Sequence, residues 1–118
     1  MLEHLDCFRG TTLQMELELT NPHTDLPLDV TNLDLEVLVK HSHTDKDDVA
    51  IITKSSLFEG EKKVEKIDPV NGRIRVSIYP YETASLPAPY MLFILLRVTD
   101  RYKRVFVLKT YVLHVRSR

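Results

Sequence analysis

Residues 86–113 read LPAPYMLFILLRVTD, then RYKR, then VFVLKTYVL. Two apolar runs rich in β-branched and aromatic residues flank a four-residue polar tip, the pattern of a β-hairpin. Side chains alternate across a strand. The first run therefore presents Tyr90, Leu92, Ile94, Leu96 and Val98 on one face and Met91, Phe93 and Leu95 on the other. A strand that is apolar on both faces needs cover on both. The set beginning at Tyr90 is assigned to the core. The other set then lies on an outer face, where the returning strand adds either Val105 and Val107 or Phe106 and Leu108, according to register. Apolar surface of this kind marks an interaction site. Met91, Phe93, Leu95, Val105 and Val107 are thus the candidate interface residues. The alternative is that residues 1–8 or 55–66 fold over them.

Outward from the hairpin, the chain repeats short alternating runs. Leu13, Met15, Leu17 and Leu19 alternate with Gln14, Glu16, Glu18 and Thr20, which predicts a half-buried antiparallel strand. Pro22 and Pro27 punctuate the loop that follows. Leu35, Val37 and Val39 form the next alternating set, and residues 49–53 form a short apolar strand expected to pair with it. Asn71-Gly72 is the strongest turn signal and predicts a tight turn. It feeds Ile74, Val76 and Ile78 inward and Arg73, Arg75 and Ser77 outward. Pro80 ends that strand, and residues 81–87 make a compact connector with one helical turn. Residues 1–8 are read as an irregular lead-in to a domain spanning 9–116. Residues 55–66 fit a strand pair, a short helix or a loop equally. About seven strands with turn signals every eight to twelve residues predict an all-β, antiparallel sandwich of the immunoglobulin-like kind.

The chain of 118 residues is 43% apolar, with 3 Gly and no Trp, the composition of one globular domain. No apolar run reaches the roughly 18–20 residues that cross a bilayer. The first residues are acidic, so a protein made in a cytosol without a secretory signal is expected. The single cysteine, Cys7, excludes an internal disulfide framework and is read as a small packed residue. Residues 1–59 hold 4 Lys/Arg against 12 Asp/Glu, and residues 60–118 hold 12 against 5, giving −8 and +7. The basic residues are spread along strands, which favours neutralisation between neighbouring strands over nucleic-acid binding. Head-to-tail attraction between copies is a further consequence of such halves.

Little in the sequence carries chemistry. It has no Gly-rich phosphate loop, no paired Cys and no Ser-centred elbow. His41 and His43 with Asp45, Asp47 and Asp48 are a metal-like cluster, but no second ligand pair stands at a defined spacing and the calcium-loop pattern fails. A solvated loop is expected there, with no metal and no cofactor. Tyr102 beside Lys103 and Arg104 fits a charged tip that keeps an edge soluble. Tyr79 and Tyr81 are core anchors or partner contacts.

Taken in order, several pieces resemble one family. They are Arg9-Gly10-Thr11-Thr12 ahead of an alternating strand, then Leu28-Asp29-Val30-Thr31, then Val70-Asn71-Gly72-Arg73-Ile74. A connector from Ile78 to Leu86 follows, and Pro89-Tyr90 opens a long strand closing with Val98-Thr99-Asp100. Together, over residues 9–115, they resemble the immunoglobulin-like domain of phage baseplate upper proteins and related tail adaptors. Ala88-Pro89 stands where that family usually has a Gly before the Tyr-led strand. The resemblance implies a non-enzymatic virion structural module of a tail, baseplate, fibre or capsid, whose partners are other virion proteins and copies of itself. It implies no catalytic residues, nucleic acid, membrane or small-molecule substrate. The alternatives are a cytosolic β-sandwich module binding a carbohydrate or peptide, and a small hydrolase or metal protein using the His41 loop.

Overall fold

The computed structural model describes residues 3–21, 23–42, 46, 50–87 and 90–117, and the backbone alone of Tyr90. The chain is all-β, with two sheets and one short helix among the described residues. Its strands are β1 (Glu3–Phe8), β2 (Leu13–Glu18), β3 (Asp34–Lys40), β4 (Ile52–Ser55), β5 (Glu65–Asp68), β6 (Arg73–Ile78), β7 (Tyr90–Thr99) and β8 (Val105–Arg116). The helix, α1, is Pro80–Ala84. The larger sheet runs β1-β8-β7-β3-β4 and the smaller β2-β6-β5. Every pairing is antiparallel except β1 with β8.

The alternation read from the sequence places the core. Leu92, Ile94, Leu96 and Val98 of β7 join Leu35, Val37 and Val39 of β3 and Tyr111, Leu113 and Val115 of β8. From the smaller sheet, Met15 of β2 and Ile74, Val76 and Ile78 of β6 enter the same buried cluster. β3 and β4 pair as expected, with Val39 opposite Ile52; Val49 lies outside the described residues.

The charge asymmetry is absorbed by contacts between strands. Glu16 pairs with Arg75 at 2.8 Å, Glu36 with Arg97 at 3.2 Å, Glu3 with Lys109 at 2.7 Å and Asp6 with Arg116 at 2.8 Å. The exposed pairs among them, all but the part-buried Glu36–Arg97, contribute little stability each but remove like-charge repulsion along a sheet.

One reading is corrected and two are made definite. Residues 1–8 are not an irregular lead-in: Glu3–Phe8 form a strand that buries Cys7 in the core. This brings the strands to eight. Residues 55–66 resolve into the end of β4, a 3₁₀ turn at Gly60–Lys62 and the start of β5, with Val64 fully buried. Asn71-Gly72 stands in the expected tight turn that feeds β6. Pro69, whose φ is fixed negative, starts a 3₁₀ turn over Pro69–Asn71, and only Gly72 takes a left-handed φ of 70°.

Candidate functional site

The five candidate interface residues share the outer face of the larger sheet. Met91, Phe93 and Leu95 alternate there on β7. A bulge between Leu96 and Arg97 shifts the register so that Val107 lies opposite Arg97 and Val105 opposite Thr99. This puts Val105 and Val107 on that same outer face and turns Phe106 inward. The face is not one continuous patch. Its centre is withdrawn from solvent, with Leu95 7% and Leu38 of β3 1% exposed, and Phe93 is half-buried between Lys40 and Val112. Exposed apolar surface remains at its two ends, Met91 at one and Val105 (54%) and Val107 (54%) at the other, where Phe106 (49%) is exposed on the inward side.

The second end has an unpartnered backbone edge. β1 covers β8 only from Tyr111 to Arg116. Along Val105 to Thr110 the same edge of β8 meets no strand among the described residues. Beneath it opens a groove of about 410 Å³. Leu28, Leu33, Val98, Phe106 and Leu108 give it an apolar floor, and Asn21, His23 and Asp100 stand at its rim. A second groove of about 340 Å³ continues between Glu18–Thr20 and Val107–Lys109. The smaller sheet has only three strands, so the inward side of β8 is left uncovered here.

The tip beside this edge is rigid and cationic. Asp100 accepts the backbone N–H groups of Tyr102 and Arg104 at 2.9 Å each and the Arg104 side chain at 2.7 Å. Burial alone would raise the Asp100 carboxyl; these hydrogen bonds outweigh it and hold the carboxyl below its ordinary range. Arg101 and Arg104 lie over the Tyr102 ring at 5.0 and 5.3 Å. Two arginines and Lys103 thus flank the open edge, where charge deters random strand pairing.

Sequence reasoning missed a buried charge cluster. Lys54 of β4 is fully buried and donates to Glu82 Oε1 at 2.6 Å and to the Glu61 carbonyl at 2.7 Å. Lys62 donates to Glu82 Oε2 at 2.7 Å, and the Tyr79 N–H to Glu82 Oε1 at 3.1 Å. Burial pushes the Glu82 carboxyl up, but the bonds from both lysines and from Tyr79 prevail and leave it below its ordinary value. Every polar atom of this cluster is matched, so it pins α1 to the 3₁₀ turn rather than offering a reactive group. Tyr81 donates to Glu61 Oε2 at 2.6 Å, which, with lesser contributions, pushes its phenol up to about 12. Tyr79 and Tyr81 stack at 6.5 Å. The only signal in the sequence was a lysine at an inward position of a short strand.

The other singled-out residues do not converge. Burial, with Asp6 adding to it, raises the Cys7 thiol, the opposite of an activated nucleophile. His41 is exposed, while His43, Asp45, Asp47 and Asp48 lie outside the described residues. Among the described residues no group of three or more His, Cys, Asp or Glu side chains is placed to hold a metal. His4 and His114, 110 positions apart, are brought into ring contact on β1 and β8. A scan against protein-family models finds no match for this chain, and a search of curated proteins finds no significant one.

Proposed function

We propose that this chain is a non-enzymatic phage structural protein, an immunoglobulin-like β-sandwich that acts as an adaptor in a tail, baseplate, fibre or capsid. Its work is protein–protein docking with other virion proteins and with copies of itself. The observation that carries this reading is the open edge of β8, where Val105, Phe106 and Val107 are exposed beside unpartnered backbone and an apolar groove. An extended segment of a partner can continue the sheet there, its main chain bonding to β8 and its alternate side chains entering the groove.

The way the chain closes on itself supports the same reading. The pieces that carry the family resemblance meet in pairs. The Gly10 N–H donates to Thr83 Oγ1 at 3.1 Å, Thr83 Oγ1 donates to the Thr11 carbonyl at 2.6 Å, and Arg9 donates to the Ala84 carbonyl at 2.8 Å. The Val30 N–H donates to the Pro69 carbonyl at 2.8 Å, beside Gly72. The Arg9-to-Thr12 piece is thus locked to the connector, and the Leu28-to-Thr31 piece to the Asn71-Gly72 turn.

The second reading, a module that binds a peptide or carbohydrate, is favoured by the groove itself, with its apolar floor and polar rim. Assembly with a Val107→Asp variant separates the two. The adaptor reading expects the folded variant to be lost from particles. The binding-module reading expects the wild-type chain to be absent from particles altogether.

A further inference from the structure

We propose that His4 and His114 form a chelating site for a divalent transition-metal ion, copper(II) above all, that clips β1 onto β8. The two strands run parallel with Glu3 opposite Tyr111, so Asp6 lies opposite His114, and His4, opposite Val112, lies two residues before Asp6 on the same face. The His4 Nδ1 and His114 Nε2 atoms are 2.8 Å apart, and the rings stand 5.1 Å apart between centroids at 21° to each other. Two imidazole nitrogens at that distance must share a proton, one ring donating and the other accepting. A metal ion can displace that proton if the rings turn to aim both lone pairs at a point off the line between the nitrogens, about 2.0 Å from each.

The ligand type and the affinity order select the kind of ion. Imidazole nitrogens bind at about 2.0–2.1 Å, so two ligands at right angles stand about 2.9 Å apart, whereas a tetrahedral arrangement needs about 3.3 Å. The observed 2.8 Å is the length of the hydrogen bond between the two rings, and turning the rings reaches either separation. Copper(II) leads the affinity order for nitrogen donors. Around the pair, Asp6 lies beside His114 on β1 and the exposed Met91 opposite it on β7. The Asp6 carboxylate accepts from Arg116 at 2.8 Å, which fixes its position and leaves further oxygen lone pairs. Water completes the coordination on this open face. β1 is an edge strand of the larger sheet and pairs only with β8, so a metal bridging the two secures a strand held from a single side.

The test is titration of the purified full chain with Cu²⁺, Ni²⁺ and Zn²⁺, read by calorimetry, by paramagnetic resonance for Cu²⁺ and by thermal melting. One Cu²⁺ per chain with nitrogen coupling in the resonance spectrum is expected, together with a higher Tm because the ion binds the folded state. His4→Gln and His114→Gln should each weaken Cu²⁺ binding by about tenfold or more, since a chelate loses its second arm, and remove the Tm rise. His23→Gln and His41→Gln should change neither. If either strand variant fails to fold, wild-type protein still gives the answer, because Cu²⁺ should shield His4 and His114 from diethyl pyrocarbonate. Absence of Cu²⁺ binding, binding that survives both strand variants, or zinc binding as tight as copper would overturn the site.

Discussion

Replacing Gly72 by alanine adds one methyl group at the point where the end of β2, the link after it and the start of β6 meet. Two separable costs follow. Gly72 has φ 70°, a left-handed conformation that costs a residue with a side chain about 1–2 kcal/mol. A Cβ there would also stand 2.6 Å from the carbonyl oxygens of both Leu19 and Leu28. The Leu19 carbonyl cannot swing away without loss, because it accepts the Leu28 N–H at 2.9 Å while the Leu19 N–H donates to the Gly72 carbonyl at 2.8 Å. Forcing packed backbone apart costs a further 1–3 kcal/mol or so, for a total of about 2–5 kcal/mol. In a domain of this size that lowers Tm by about 8–20 °C. Gly10 supplies the control: its φ is 81°, but nothing lies within 4 Å of the added Cβ. Gly10→Ala should therefore cost only the conformational part, about 4–8 °C. Melting curves by circular dichroism of both variants isolate the steric cost as their difference. Equal shifts for the two would refute the close approach at Gly72, and with it the placement of Leu28 in the floor of the groove.

Removing the Glu82 carboxylate leaves buried Lys54 uncompensated, so Glu82→Ala should cost about 3–5 kcal/mol in urea unfolding, and the apolar pair Lys54→Met with Glu82→Leu should recover most of it. The lowered Glu82 carboxyl contributes stability that is present above its ordinary value of 4.5 and is lost as pH falls through its lower folded-state value. Wild type should accordingly lose stability on acidification below about pH 4.5 more steeply than Glu82→Gln, and identical acid limbs would contradict the cluster. Cys7, buried with its thiol raised, should react with a disulfide reagent at pH 8 only as fast as β1 opens; immediate stoichiometric labelling would show β1 detached.

The strands that were plain in the sequence are those with one wet face and three or more alternating apolar residues. β2 and β6 are of this kind, and so is the inner set of β7. β1 was hidden because only Leu5 and Cys7 face inward, too short a pattern to separate from a polar lead-in. β5 was hidden because Glu65, Lys66 and Asp68 make up most of it. The bulge opposite Leu96 and Arg97 has no sequence signature, and it decides which side of β8 faces outward. Burial of Leu95 and Leu38 depends on what covers the sheet, which alternation cannot reveal. Lys54 with Glu82, and His4 with His114, are pairs made by the fold across 28 and 110 positions. A single sequence shows each partner and not the pairing. The candidate interface was legible as a face but not as an edge, because an edge depends on where β1 stops.

The central claim, a docking protein joined through the open edge of β8, is tested most directly by high-resolution imaging of phage particles assembled in the presence of this chain. The chain should appear in repeated copies, with an extended segment of a neighbour paired along residues 105–110 and its side chains seated over Leu28, Leu33 and Phe106. Particles without the chain, or copies whose β8 edge faces solvent while another surface makes every contact, would contradict it.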